Sequence, residues 1–122
     1  MSFEFSNDIP IYIQIIEHIK LEIISKKYCS GQKLPSVREL SLVFGVNPNT
    51  IQKSMQELED VGIIYTDRTN GKYVTLDQSV IDRIAQKTLN EKVKAFFEDM
   101  SKLGFDKEQV IKLLNEENLW VC

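Results

Sequence analysis

The amino-acid sequence predicts a mainly α-helical protein with one small β-hairpin, built as a compact N-terminal domain and a short helical tail. Three observations carry this. Two helix starts with capping signals follow each other at Ser36 and Asn47, a hairpin signal comes directly after them, and the segment from Val80 to Leu103 keeps helical apolar spacing.

Met1 to Ile9 shows no periodicity, and Phe3 and Phe5 read as a short strand or arm. From Pro10 to Lys27 a helix is expected: Tyr12, Ile16, Ile19 and Ile23 form one stripe, which Ile11, Ile15 and Ile24 widen beyond half the circumference. Such width calls for burial on two sides. His18 lies among polar residues in sequence with no second ligand, and reads as a solvated histidine. Tyr28 to Lys33 is a connector that turns at Ser30-Gly31.

In Leu34-Pro35-Ser36-Val37-Arg38-Glu39-Leu40, Ser36 can cap the amide of Glu39 while Glu39 reaches back to the amide of Ser36. This helix should stop at Gly45, with Leu40 and Val43 as its buried edge. The next begins with Asn47 as N-cap and Pro48 in the first helical position, and Gly62 closes it. Ile51, Met55 and Leu58 fall on one apolar stripe; Asn49, Lys53 and Gln56 point away from it, with Gln52 on the flank. The exposed face therefore offers amides and a cation. Asn and Gln suit adenine edges and Lys suits guanine, so this helix, 48–61, fits a DNA major groove.

Ile63 to Thr66 and Lys72 to Val74 flank Asp67-Arg68-Thr69-Asn70-Gly71, and Asn-Gly between β-prone runs predicts a hairpin. Two helices joined by a tight turn and followed by a hairpin make a winged helix-turn-helix. Residues 1–76 form this domain and 77–122 the tail. Asp77 to Ser79 reads as a hinge into one long helix or two with a bend, ended by Gly104. Asp106 and Gln109 then repeat the capping-box logic, and a last short helix should end near Asn118. The tail is too small to hide Val93, Phe96, Phe97, Met100, Leu103 and Leu113 internally, and Leu119, Trp120 and Val121 also need a partner surface. A homodimer through these helices is expected, because operator binding needs a two-fold pair of recognition helices.

The chain has 122 residues and is 43% apolar, enough for one modest core. Its net charge of −3 and pI near 5.2 argue against nucleic-acid binding on composition alone. Position decides otherwise. Residues 1–76 hold 8 basic and 9 acidic side chains, yet Lys33, Arg38, Lys53, Arg68 and Lys72 all map to the expected DNA side, with Glu57 and Glu59 off the Asn49/Lys53 line. No apolar run approaches the ~20 residues that span a bilayer, and no signal pattern opens the chain, so a cytoplasmic location is expected. Cys29 and Cys122 have no metal spacing and read as structural or incidental thiols; neither metal nor cofactor is expected. One His, no Gly-rich phosphate loop and no Ser/His/Asp spacing leave nothing for an enzyme. The rival class is a winged-helix protein-protein interaction module that uses its aromatic tail as the contact surface.

Pro10-Ile11-Tyr12-Ile13-Gln14-Ile15, then Gly31-Gln32-Lys33-Leu34-Pro35-Ser36-Val37-Arg38-Glu39-Leu40, then Val46-Asn47-Pro48-Asn49-Thr50-Ile51, with Gly62 and Gly71, resemble the N-terminal domain of GntR-family bacterial transcription regulators. The Asn-Pro-Asn-Thr helix start and the short tail resemble its YtrA-type subfamily, often found beside ABC-transporter genes. The resemblance implies DNA contacts at Ser36, Arg38, Asn49, Thr50 and the wing around Gly71. Many members carry Arg where this chain has Pro48, and often another at Gln52; their wing usually reads Gly-x-Gly with a basic middle residue, where this chain has Thr69-Asn70-Gly71. Together, the expected DNA-binding set is Lys33, Ser36, Arg38, Asn47, Pro48, Asn49, Thr50, Gln52, Lys53, Arg68, Asn70, Gly71 and Lys72. The implied function is a sequence-specific, double-stranded DNA-binding repressor acting as a homodimer on an inverted-repeat operator. The 46 residues after Leu76 cannot build the large effector domain of most relatives. An unknown small-molecule effector, if one acts, would have to use the dimer interface or the junction with the first helix.

Overall fold

A computed structural model describes residues 3–116. The elements run α1 (Ile11–Ile24), α2 (Val37–Phe44), α3 (Pro48–Asp60), β1 (Ile64–Thr66), β2 (Lys72–Val74), α4 (Gln78–Lys102) and α5 (Lys107–Leu114). The strands form one antiparallel hairpin in the register Ile64–Val74, Tyr65–Tyr73 and Thr66–Lys72. The chain divides into two compact units, one reaching Ile84 and the other starting at Ala85.

In the first unit, Ile15, Ile19 and Ile23 recur every four residues and are fully buried, so α1 presents one continuous ridge. That ridge joins Ile51, Met55 and Leu58 of α3 in a single core with Leu34, Leu40, Phe44, Ile63, Ile64, Val74 and Ile81. Each such side chain contributes about 1.5–3 kcal/mol by leaving water, which makes this stripe the main force fixing α3. A hydrogen bond adds direction: the fully buried Ser54 hydroxyl lies 2.9 Å from the Tyr12 carbonyl oxygen and 3.1 Å from that of Thr50.

The capping expectations hold at every helix start they addressed. Ser36 Oγ accepts from the Glu39 amide at 3.1 Å, and Glu39 Oε1 accepts from the Ser36 amide at 3.1 Å. Asn47 Oδ1 accepts from the Asn49 amide at 2.8 Å, and Asp106 and Gln109 exchange bonds of 2.8 and 2.9 Å. Gly45 closes α2 in the left-handed conformation, φ 67°.

Several expectations need correction. α1 ends at Ile24 rather than Lys27, because Lys26 adopts φ 68° and the Lys26 and Lys27 amides donate back to Ile23 and Glu22 at 3.1 and 2.8 Å. This is a Schellman ending with lysine in the usual glycine position, so no sequence signal marked it. Val43 is exposed; the buried edge of α2 is Leu40 and Phe44, one turn apart. Phe44 is drawn inward by the N-terminal arm, where Phe3 and Phe5 place their rings 5.1 and 6.3 Å from it. His18 joins this aromatic cluster, 4.8 Å from Phe3 and 5.5 Å from Phe44, with Nε2 3.2 Å from Glu22, and is not simply solvated. The connector is also more than a turn. Gly31 and Leu34 amides donate to Val74 and Lys72 carbonyls at 3.0 and 2.8 Å, and Val74 donates to Gln32 at 2.9 Å, so it lines the free edge of β2.

The expected long helix is continuous. Asp77 caps its start, accepting from the Ser79 amide at 3.0 Å, and Ile81 and Ile84 pack on the core of the first unit. In the second unit, Gly104 turns the chain at φ 90° and Val110 is buried. α5 ends at Leu114, short of Asn118, and Leu119, Trp120 and Val121 lie outside the described residues.

Candidate nucleic-acid interface

The first turn of α2, the flank of α3 and the wing enclose an open groove of about 580 Å³. Seven of the expected contact residues line it: Lys33, Ser36, Arg38, Gln52, Asn70, Gly71 and Lys72. The local reasons are plain. The capping box fixes where α2 begins and so where Arg38 emerges; pairing of the connector with β2 sets Lys33 beside the wing.

The wing turn is organised by Asp67. Its carboxylate accepts from the Thr69 hydroxyl at 2.6 Å, the Thr69 amide at 2.9 Å and the Gly71 amide at 3.2 Å. These bonds, the Thr69 hydroxyl first, hold its carboxyl below the ordinary aspartate value. Asn70 takes the left-handed conformation, φ 66°, which Asn tolerates better than most residues and which lets the five-residue loop close. Arg68 projects from the tip, exposed.

The other side of α3 faces α1. Asn49, Thr50 and Lys53 line a shallow recess of about 430 Å³ with Ile11 and Tyr12. Lys53 Nζ lies 3.8 Å from the centroid of the Tyr12 ring. The amide-and-cation face of α3 is thus divided: Gln52 turns to the wing and Lys53 to α1. Asn47 and Pro48 are exposed at the helix start and line neither recess. Gln56 is tied to Asp60 at the far end of the face, its Nε2 donating to Oδ1 at 2.9 Å.

Charge around the groove is uneven. Lys33, Arg38 and Arg68 enter no ion pair among the described residues, whereas Lys72 Nζ stands 3.6 Å from Glu59 Oε1 and donates to Thr66 Oγ1 at 2.7 Å. Glu39 is held below the ordinary glutamate value, first by the Ser36 amide and hydroxyl and also by Lys33. Sequence reasoning missed three residues here. By sequence Tyr12 reads as part of the core stripe, Glu59 as an acid off the Asn49/Lys53 line and Thr66 as a flank of the hairpin. Glu59 carried the available signal, being an acid one turn before the wing and within reach of Lys72 once the hairpin folds back.

Among the described residues, no group of three or more His, Cys, Asp or Glu could hold a metal, and no helix is long and apolar enough to cross a membrane. Cys29 is an exposed free thiol.

A helix-turn-helix with a hairpin at its flank, cations on one rim and an amide-rich helix beside them define a winged-helix DNA-binding domain. Residues 11–74 match the family described as bacterial regulatory proteins, gntR family. The chain belongs to the GntR family of transcription regulators. It is 36% identical to the uncharacterized HTH-type transcriptional regulator YhcF of Bacillus subtilis over 92% of this chain and 93% of that protein. It is 34% identical to the HTH-type transcriptional repressor YtrA of the same organism, over 88% and 83%. Among solved structures, a GntR family transcriptional regulator from Listeria monocytogenes superposes with TM-score 0.84 at 43% identity, covering 90% of this chain and 96% of that one. The DNA-binding domain of AraR in complex with operator ORE1 superposes with TM-score 0.54 at 32% identity, covering 62% and 93%.

Proposed function

We propose that this protein is a homodimeric repressor that recognises an inverted-repeat operator, with residues 48–61 in the major groove and the wing against the backbone or minor groove. The observation that carries the reading is the single groove that joins Arg38, Gln52 and the wing, flanked by Lys33, Arg38 and Arg68, which enter no ion pair among the described residues. Arg38, Lys33 and Arg68 meet phosphate or guanine; Ser36, Thr50 and the start of α3 at Asn47 and Pro48 lie against phosphate, where a helix N-terminus favours anions. Asn49, Gln52 and Lys53 read base edges, and Asn70 and Gly71 shape the wing contact. Residues 1–76 act as the DNA-binding domain and 77–122 as the dimerisation tail. Its contact surface is Val93, Phe96, Phe97, Met100, Leu103 and Leu113, of which Val93, Phe96, Leu103 and Leu113 are exposed at 43, 40, 68 and 52%. Repression follows the name of the YtrA relative, and operator binding follows the AraR complex. The reading assigns no catalytic role and a cytoplasmic site of action.

Titration of a labelled random-sequence duplex at several salt concentrations tests the face. The wild type should bind at low salt with an affinity that falls linearly in log–log form as salt rises, and Arg38→Glu should weaken it throughout. Equal binding by both proteins contradicts the assignment of this face, and no binding by the wild type favours a protein partner.

A further inference from the structure

Glu59 near the end of α3, Thr66 at the end of β1 and Lys72 at the start of β2 form one closed polar circuit. Lys72 Nζ donates to Thr66 Oγ1 at 2.7 Å, the Thr66 hydroxyl donates to Glu59 Oε1, and Lys72 Nζ lies 3.6 Å from the same carboxylate oxygen. The donor polarity is consistent: the ammonium has only hydrogens to give, the hydroxyl accepts one bond and gives one, and the carboxylate only accepts. The Lys72 and Glu59 side chains are 18% and 22% exposed, so the pair is screened less than a surface ion pair.

Its place in the fold gives it a purpose. Thr66 and Lys72 are the last register pair before the wing loop, and Glu59 belongs to the recognition helix. The circuit therefore ties the base of the wing to the element that carries Gln52 and Lys53. Lys72 and Thr66 also line the groove proposed to face DNA, and Glu59 stands directly beside them, where its charge, left unpaired, would repel phosphate. A cation committed to an internal carboxylate is a poor phosphate contact, since reaching DNA would leave that carboxylate partly buried and unpaired.

We propose that Glu59, Thr66 and Lys72 are positioning residues that fix the wing against the recognition helix, and that Lys72 acts through this tie rather than by pairing with phosphate. This rests on the DNA-binding reading above. Both elements must meet one duplex at a set spacing, and the tie holds that spacing before DNA arrives.

Charge alone predicts the opposite of positioning, which makes the test sharp. Glu59→Gln removes an acid from the DNA side and frees Lys72, so charge accounting makes binding tighter on every duplex. Positioning predicts that Glu59→Gln and Thr66→Val each lower the ratio of affinities for the duplex recovered by selection and a scrambled duplex by roughly tenfold, a typical consequence of losing a charge-assisted bond. Thr66→Ser, which keeps the hydroxyl, should restore the ratio. Tighter binding of both duplexes by Glu59→Gln, with Thr66→Val like the wild type, overturns the proposal and makes Lys72 a phosphate contact. Should selection return no motif, the DNA reading fails on its own. The tie is then read in the free protein by hydrogen exchange: the Tyr65 and Tyr73 amides, which face each other across the hairpin, should exchange faster in Thr66→Val and Glu59→Gln, and unchanged rates overturn it.

Discussion

The ammonium group of Lys53 stands 3.8 Å from the centroid of the Tyr12 ring, so the only cation of α3 leans on the first turn of α1. A cation over an aromatic face at an exposed site contributes about 0.5–1 kcal/mol. A good base contact is worth about 1–3 kcal/mol. The base contact proposed for Lys53 would therefore outweigh its contact with the Tyr12 ring.

Lys53→Ala is expected to weaken binding to the operator by about 1–3 kcal/mol while barely changing affinity for unrelated duplexes. Equilibrium titration against both checks it. A loss equal on all sequences, with a shallower salt slope, would assign Lys53 to phosphate. Tyr12→Phe keeps the aromatic face and should behave as the wild type.

If the proposed tail-mediated dimer forms, paired Val93→Glu and Phe96→Glu substitutions should convert it to monomers. Both side chains are exposed on α4, at 43 and 40%, so the fold of a single chain should survive. Sedimentation velocity at micromolar concentration reads the outcome; a variant that still sediments as a dimer removes the tail from the interface.

Ser54→Val should destabilise the protein by about 1–3 kcal/mol, since the side chain is fully buried against α1 and added carbon in a packed core forces strain. Ser54→Ala loses only the hydroxyl bond, about 1 kcal/mol. Urea midpoints at unchanged slope measure both. Equal losses for Ala and Val, both of which lack the hydroxyl, would mean that the hydrogen bond and not overpacking governs the crossing.

Acid should loosen the caps before the core. Glu39, Asp67 and Asp77 all have carboxyls held below their ordinary values by hydrogen bonds, from Ser36, from Thr69 and Gly71, and from Ser79 and Val80. A lowered folded value means stability that is complete above the unfolded value near 4 and is lost as pH falls through the folded value. Thermal melts should be flat above about pH 5 and fall below about pH 4. Asp67→Asn should reduce that fall, and an unchanged acid limb would place the linkage elsewhere.

Much of this architecture is legible in local chemistry. Ser36 with Glu39, Asn47 with Pro48, and Asp106 with Gln109 declare helix starts through bonds made within three residues, and the Ile51, Met55 and Leu58 stripe declares its buried face by spacing alone. What stayed hidden depends on partners distant in sequence. Phe44 displaced Val43 from the core because Phe3 and Phe5 come back across α2, and the connector became a strand-like edge only because β2 lies beside it. The site divides in the same way. Arg38 and Gln52 could be placed from their helices, whereas the occupation of Lys72 by Glu59 and of Lys53 by Tyr12 needed tertiary structure.

Selection of bound duplexes from a random DNA pool at two salt concentrations tests the central claim most directly. The account predicts an inverted repeat at both, with half-sites spaced for two recognition helices about one helical turn apart or a multiple of it. Recovery of no motif, with binding that vanishes at the higher salt, would contradict it.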